Sequence, residues 1–212
     1  MKPETTIFYD VDTQRDFILP GGALYVPGAE KIASALGEVT RLARAHKIRV
    51  VCSVDRHFPG DHELKRNGGE FADHCMDGTA GQRKIDETTP LDPLYVPNHP
   101  LSSEQIKAAL HHKGELVFEK QDFDVFIGNQ HARTMLPMLL QPFSDIVIYG
   151  VFTEICVAHA VNGLLELSPS LHIVTDAIAD IGTDADRVRA HWKAAGVDFV
   201  TVTQLKNMVL NQ

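Results

Sequence analysis

One cysteine lies where the sequence predicts a turn from a buried strand into a helix. Residues 145–150 are short, apolar and β-branched and end in glycine, and residues 156–167 carry apolar side chains at helical spacing. Cys156 opens that helix, where the dipole and the free amides favour a thiolate that can attack a carbonyl. The same amides could hold the resulting oxyanion. The plain alternative is a small buried residue without chemistry.

Other reactive side chains follow the predicted strands. They are Asp12 after the first strand, Asp55 and His57 after the second, and Lys120 after the third. Sites in parallel sheets form at the carboxyl ends of strands, so we expect these residues to converge with Cys156 on one edge. Taken singly, each has an ordinary alternative, because aspartate often forms turns and lysine is mostly a surface charge.

One aspartate and two histidines could bind a metal ion. Asp55 and His57 are two residues apart, which places both side chains on one side of an extended segment. His74 follows in a long loop and could supply a third ligand, although His62 and Cys75 are competing donors. Two imidazoles and one carboxylate suit zinc, iron or manganese and leave positions for water or substrate. The alternative is a group of polar loop residues bonded to the backbone.

Strands and helices that could position these side chains alternate along the chain. Strand-like runs cover residues 5–11, 48–54, 116–119, 145–151, 171–175 and 197–202. Helical patterns cover residues 29–46, 102–112, 130–140, 156–167, 184–195 and 203–210, with Ser102, Ser103 and Asp184 available as caps. The alternation predicts an α/β fold with a mostly parallel six-stranded sheet covered on both faces. Residues 56–99 lack periodicity, and a connection of that length is usually functional.

Composition excludes several classes of protein. The 212 residues are 44% hydrophobic, enough for one sizeable core, so we expect a single domain over residues 1–212. No run approaches the roughly 20 apolar residues of a membrane span, and no signal-peptide pattern opens the chain, so we expect a cytoplasmic protein. Three cysteines argue against a disulfide framework. The net charge of −8 argues against nucleic acid or an anionic membrane and leaves a small molecule as the expected partner.

Five motifs occur in the order found in a known enzyme family. They are residues 11–17 followed by residues 20–24, the pair Asp55-x-His57, the segment His74-Cys75-x-x-Gly78-Thr79-x-Gly81, the segment Lys120-x-x-x-Asp124-x-Phe126, and residues 150–157. Together they resemble the nicotinamidase branch of the isochorismatase-like cysteine hydrolases over nearly the whole chain. The resemblance implies a three-layer α/β/α sandwich with a Rossmann-like parallel sheet. It also implies a homo-oligomer, since relatives often form dimers or tetramers.

This resemblance implies roles for the catalytic positions. Asp12, Lys120 and Cys156 would form the catalytic triad, with Asp12 taking the thiol proton and Lys120 holding the thiolate. The peptide bond between Val151 and Phe152 would be cis. The backbone amides of Phe152 and Cys156 would then form the oxyanion hole.

The same resemblance implies a metal site and a substrate. Asp55, His57 and His74 would bind a divalent metal, zinc or alternatively iron or manganese, which would orient the pyridine ring of the substrate. Phe17 and Phe71 stand where relatives place aromatic ring contacts, although each could be an ordinary core residue. The implied reaction is hydrolysis of nicotinamide to nicotinate and ammonia through a cysteine thioester. The alternatives are a related hydrolase of another amide, carbamoyl or ureido compound, an isochorismate-type hydrolase, and a binding protein without catalysis.

Some positions depart from the family pattern or compete with it. Arg56 and Phe58 stand where nicotinamidases commonly carry tryptophan and proline, and residues 62–65 also differ from the usual motif. These changes lie around the metal and the pocket mouth, so they bear on the substrate more than on the mechanism. Asp10 lies two residues before Asp12 and is expected on the same strand face, but the surrounding motif favours Asp12 as the base.

Overall fold

Seven apolar runs form one parallel sheet in the computed structural model, which describes residues 1–167 and 170–210. The strands are β1 (Thr6–Val11), β2 (Arg49–Asp55), β3 (Leu94–Val96), β4 (Leu116–Lys120), β5 (Asp145–Val151), β6 (Ser170–Ala179) and β7 (Asp198–Val200). Their order across the sheet is β3-β4-β2-β1-β5-β6-β7, and each neighbouring pair is parallel. The central strands are buried on both faces, as a parallel sheet covered by helices requires.

The prediction of six strands is wrong by one. The six predicted strands are present, β5 with the predicted ends and the others with shifted ends, and the additional strand β3 lies inside the segment 56–99, which showed no periodicity. Pro93 and Pro97 flank β3, so its three residues form no longer apolar run of the kind that marks the equally short β7. It forms one edge of the sheet beside β4, where Tyr95 stays half-exposed.

All six predicted helices are present, and two helices of a single turn were not predicted. Among the described residues the α-helices are α1 (Arg15–Ile18), α2 (Ala33–Ala45), α3 (Ser103–His111), α4 (Val125–Gly128), α5 (Ala132–Leu140), α6 (Cys156–Leu165), α7 (Ala185–Ala194) and α8 (Val202–Leu210). Ser102 caps α3 as predicted, because its Oγ accepts the Gln105 N–H at 3.2 Å. Asp184 precedes α7 but makes no capping bond, since its carboxylate pairs with Arg187 at 2.8 Å. None of the helices in this part of the chain has the length and apolarity of a membrane span.

Side-chain alternation along the strands divides the core into two layers. Ile7 and Tyr9 of β1 pack into the layer that contains α3, α5, α6 and α7, whereas Phe8 packs into the layer that contains α2 and α8. Trp192 of α7 and Leu36 of α2 are fully buried in these layers. The architecture is therefore the predicted three-layer α/β/α sandwich.

Candidate active site

Four reactive side chains meet at the carboxyl ends of four adjacent strands. They are Asp12 after β1, Asp55 at the end of β2, Lys120 at the end of β4, and Cys156 at the start of α6 after β5. Because β4, β2, β1 and β5 are neighbours in the sheet, the four side chains lie together, in the place that the sequence predicts. All four residues are buried.

Lys120 is the centre of this group. Its Nζ lies 3.0 Å from Asp12 Oδ2 and 3.7 Å from Cys156 Sγ, and it forms an ion pair with Asp55 Oδ1. Burial lowers the pKa of Lys120, but Asp12, Asp55 and Cys156 outweigh burial and raise it well above its usual value. Lys120 is therefore a fixed cation that links two carboxylates to the thiol.

One side chain and two backbone features shape the ends of β1, β2 and β5. The Gln14 side chain accepts the Asp55 N–H at 2.6 Å and donates to the Asp55 carbonyl at 2.7 Å, which ties the loop after β1 to the end of β2. Asp12 adopts a left-handed conformation with φ of +49°, so the extended alternation of β1 ends there. A Cβ at Gly150 would lie 2.0 Å from the Val11 carbonyl oxygen, so only glycine allows β5 to approach β1 this closely.

The turn between β5 and α6 presents two free amides beside the thiol. The peptide bond between Val151 and Phe152 is cis, as the resemblance implies. The N–H groups of Ile155 and Val157 both donate to the Phe152 carbonyl at 3.1 Å. The amides of Phe152 and Cys156, by contrast, donate to no group of the described residues. They are therefore available to an oxyanion formed on a carbonyl at the thiol.

Burial changes the protonation state that the sequence suggests for Cys156. Burial raises the pKa of the thiol well above its usual value; Lys120 opposes this effect, and Asp12 and Asp55 reinforce it. Loss of water and two nearby carboxylates therefore favour a thiol at rest, in contrast to the thiolate that a position at a helix start favours by itself. Burial also raises the pKa of Asp12, against the opposing charge of Lys120. A thiol beside a basic carboxylate can form its nucleophile by proton transfer when substrate arrives.

The three predicted metal ligands form a second cluster, which a fourth residue joins. Asp55 Oδ2 lies 3.5 Å from His74 Nε2 and 4.0 Å from His57 Nε2. Sequence analysis missed Glu63, whose Oε1 lies 3.5 Å from His74 Nε2 and 3.8 Å from His57 Nε2. The donor atoms of the four residues all lie within 4.8 Å of one another.

This set of donors fits a divalent metal ion. His57 Nδ1 lies 3.0 Å from Asp61 Oδ2, and His74 Nδ1 lies 2.7 Å from the Ala72 carbonyl, so both rings turn Nε2 toward the cluster. Among the described residues, the buried His57 Nε2 and Glu63 Oε2 have no hydrogen-bond partner. Burial lowers the pKa of His74, but the cluster carboxylates outweigh burial and raise it to about 10. The carboxylates therefore favour a positive charge within the cluster. Two imidazoles and two carboxylates accommodate zinc, iron or manganese.

The competing donors stay outside the cluster formed by the described residues. His62 is exposed to solvent, and Cys75 contacts the Gly81 carbonyl instead, with its Sγ at 4.0 Å. Burial raises the pKa of the Cys75 thiol well above its usual value, which disfavours a free thiolate there. Glu63 gave no sequence signal, because it lies in the aperiodic segment and only the folding of that loop brings it to His74.

A small apolar cavity lies beside the thiol and the metal cluster. Phe17 and Phe71 line it, as predicted, and their ring centroids lie 5.5 and 6.1 Å from that of His74. The free volume is about 20 Å³, room for one water molecule, so an aromatic amide can enter only if wall side chains move. The remaining apolar walls, most of them missed by sequence analysis, are Leu24, Phe123, Val151, Phe152, Ile155 and Ile181.

Comparisons with known proteins agree with this fold. The family model of the isochorismatase domain matches residues 7–206. The nicotinamidase of Escherichia coli K12 is 24% identical over 91% of this chain and 92% of its own length. The pyrazinamidase of Pyrococcus horikoshii, solved in complex with zinc, superimposes with a TM-score of 0.71 at 23% identity, over 93% of this chain and 99% of that one. The N-carbamoylsarcosine amidase of Thermoplasma acidophilum gives 0.69 at 23% identity, over 93% and 96% of the two chains.

Proposed function

The chain belongs to the isochorismatase family of hydrolases, and on that premise we propose that it is a metal-assisted cysteine amidohydrolase that converts nicotinamide to nicotinate and ammonia. The observation that carries the proposal is one arrangement of side chains. Cys156 lies 3.7 Å from Lys120, which contacts Asp12 at 3.0 Å and also pairs with Asp55 of the four-residue metal cluster. An amide in the adjacent cavity would lie between the nucleophile and that cluster.

Acylation begins with proton transfer from Cys156 to Asp12. The raised pKa values of both groups favour a resting thiol and make Asp12 a stronger base than a solvated aspartate. The thiolate attacks the amide carbon while Lys120 stabilises its charge, and the free amides of Phe152 and Cys156 hold the oxyanion. When the tetrahedral intermediate collapses, the carbon–nitrogen bond breaks and Asp12 gives its proton to the departing ammonia.

Deacylation uses the same residues in the reverse direction. Asp12, again a carboxylate, accepts a proton from the water that attacks the thioester. The free amides hold the second oxyanion, and its collapse expels the Cys156 thiolate, which recovers a proton from Asp12. The product forms as the carboxylic acid and gives its remaining proton to solvent, so it leaves as the nicotinate anion. The acidic groups around the cavity favour release of that anion.

A divalent metal would be held by Asp55, His57, Glu63 and His74, and it would act as a Lewis acid and orient a nitrogen-containing ring. The chain itself contributes the position and charge of these ligands. Lys120 shares Asp55 with the metal cluster, so it fixes the distance between that cluster and the thiol.

Apolar and aromatic walls favour an uncharged aromatic amide over a substrate with its own carboxylate. Phe17, Phe71 and Phe123 present ring surfaces, and the metal ligands supply most of the polar groups among the residues that line the cavity. A carboxylated substrate would need a cationic partner, and Lys120 is already engaged by two carboxylates. For this reason we rank nicotinamide above a carbamoyl or ureido compound that carries a carboxylate.

The test is ammonia release from nicotinamide by the metal-loaded protein, compared with two cysteine variants. We expect a kcat/KM of about 10⁴ M⁻¹s⁻¹ or more, and a loss of about 10⁴-fold or more in Cys156→Ala. Cys52→Ala is the matched control, because Cys52 is a buried cysteine in the opposite core layer. Release that persists in Cys156→Ala would refute the thioester. Release from a ureido or carbamoyl compound alone would move the proposal to that substrate class.

A further inference from the structure

A groove of about 590 Å³ lies at the amino-terminal end of the sheet, opposite the candidate active site. It is formed where the chain enters β1, β2, β4 and β5. Arg49 begins β2 and Asp55 ends it, and six steps of a parallel strand span about 20 Å. The volume falls within the range of small-molecule sites, which is about 300–1,000 Å³. The groove is therefore separate from the catalytic group.

Three cations line this groove without a carboxylate partner among the described residues. They are Lys47, Arg49 and Lys113. The chain as a whole carries a net charge of −8, and many of its other basic side chains form ion pairs, for example Arg15, Arg56, Lys84 and Arg189. A concentration of unpaired positive charge in an acidic protein favours an anionic ligand.

Arg49 is the most constrained of the three cations. Its Nη2 donates to the Leu110 and His112 carbonyls at 3.4 and 3.2 Å, which holds the guanidinium against the end of α3. Its Nε is buried and has no hydrogen-bond partner among the described residues. Burial lowers the pKa of Arg49, and no nearby acid offsets this effect. The buried Nε is not open to a ligand, so an anion in the groove would contact the guanidinium through Nη1, which donates no hydrogen bond to the described residues.

Three acidic residues also line the groove, one fewer than its four lysines and arginines. Glu115 is engaged by Arg44, which contacts its two carboxylate oxygens at 2.7 and 3.0 Å. Asp92 is exposed and lies 4.0 Å from His112. Glu4 is exposed at the rim. The Arg44–Glu115 pair also braces the wall of the groove, so the site is formed before a ligand binds.

We infer that this groove binds a small organic anion whose carboxylate or phosphate group contacts Arg49, Lys47 and Lys113. The inference does not depend on the proposed amidase function. Ile48 and Phe143 line the same groove and offer apolar surface to the remainder of the ligand. The ligand is therefore amphipathic, with one anionic group and an apolar body.

Calorimetric titration of the whole protein with phenyl phosphate and with benzoate tests the site, with inorganic phosphate to separate the contribution of the ring. We expect one equivalent to bind, with affinity that falls as salt rises. Arg49→Gln and Lys113→Gln should each weaken binding at least tenfold. Lys31→Gln, which removes an exposed unpaired lysine outside the groove, should not change it.

Two further results decide whether the groove is the site. Lys113 is exposed, so Lys113→Gln keeps the test valid if Arg49→Gln fails to fold. Amide hydrolysis in the presence of saturating phenyl phosphate shows whether the anion occupies the catalytic cavity instead. Binding that is equal in all variants, that is absent at millimolar concentrations, or that only competes with the amide substrate would overturn the inference.

Discussion

Two buried aspartates each pair with a buried lysine: Asp10 in β1 pairs with Lys84, and Asp12, directly after β1, pairs with Lys120. The two carboxylates differ in how many hydrogen bonds they accept. Asp10 Oδ1 accepts from Lys84 Nζ at 2.9 Å and from Thr13 Oγ1 at 2.8 Å. Asp12 contacts Lys120 at 3.0 Å, but neither of its carboxylate oxygens accepts a well-formed hydrogen bond among the described residues. We call the Asp10–Lys84 pair closed because two donors hold Asp10 Oδ1, and only Oδ2 has no partner among the described residues. Asp12 has neither oxygen satisfied in this way, so its carboxylate is the one left able to take a proton.

Backbone conformation separates the two pairs. The sequence places Asp10 and Asp12 two residues apart, which predicts the same face of an extended strand. The φ of +49° at Asp12 ends that alternation, so the two carboxylates contact different lysines. Lys84 comes from the long segment 56–99, whereas Lys120 ends β4. Residue type therefore does not distinguish a structural acid from a reactive one; its hydrogen-bond partners do.

The largest expected effect is on catalysis by Asp12→Asn. The asparagine keeps the shape of the side chain but cannot accept the thiol proton, so kcat should fall by about 10²–10⁴-fold. Stability should change little in comparison, because Lys120 keeps Asp55 as a partner. Steady-state kinetics and thermal unfolding of Asp12→Asn measure both quantities. Full activity in Asp12→Asn would show that Asp12 is not the base, and the contrast between Asp10 and Asp12 would then be wrong.

Substitution in the Asp10–Lys84 pair should affect stability instead of catalysis. Lys84→Met leaves Asp10 buried without its cation, which should lower the free energy of unfolding by about 3–5 kcal/mol. The double variant Asp10→Asn/Lys84→Met should recover part of this loss, because no charge is left unpaired. Denaturant unfolding measures the effect, and kcat per folded molecule should stay near that of the unmodified protein. A large fall in kcat with unchanged stability would assign this pair to catalysis.

A smaller effect should follow from the fourth member of the metal cluster. Glu63→Gln keeps an oxygen donor but removes a charge, so metal affinity should fall by about 10- to 100-fold. Glu70→Gln is the control, because Glu70 is an exposed acid of the same loop. Competition with a chelator, followed by elemental analysis, measures affinity for both variants. Equal affinity in the two variants would restrict the site to Asp55, His57 and His74.

Asp124 is less buried than Asp10 and Asp12, so its substitution should give the smallest effect of those considered. Its carboxylate caps α4 through the Phe126 N–H at 2.8 Å and lies 3.6 Å from His159. Burial raises the pKa of Asp124, but His159 and the Phe126 amide lower it by more than burial raises it. The pKa of Asp124 is therefore lower in the folded protein than in the unfolded chain. The resulting stability is present above the unfolded pKa and is lost as pH falls through the folded value.

Substitution to asparagine isolates that charge, because asparagine still caps a helix. Asp124→Asn should lower the free energy of unfolding at neutral pH by less than about 1 kcal/mol. The difference from the unmodified protein should shrink as the pH falls below 3.8, the ordinary pKa of aspartate. Urea unfolding at a series of pH values measures it. A difference that grows in acid would contradict the sign of the shift.

Prediction from the sequence succeeded where the signal was local. Apolar runs of four or more residues marked six strands, and the rule that sites form at strand ends selected Asp12, Asp55, Lys120 and Cys156. The three-residue strand β3 escaped because Pro93 and Pro97 flank it, whereas the equally short β7 lies within a longer apolar run. Phe123 escaped for a different reason: nothing local distinguishes a cavity wall from an ordinary core residue.

The sequence by itself determined the alternating α/β architecture and the chemistry that the strand ends could carry, because both depend on residue type and short-range spacing. Only the tertiary structure decided that Glu63 joins the metal cluster and that Asp10 is closed off by Lys84. It also decided that burial keeps the Cys156 thiol protonated at rest. Each of these depends on which groups the folded chain brings within a few ångströms and on how completely it removes water from them, and neither quantity is local in sequence.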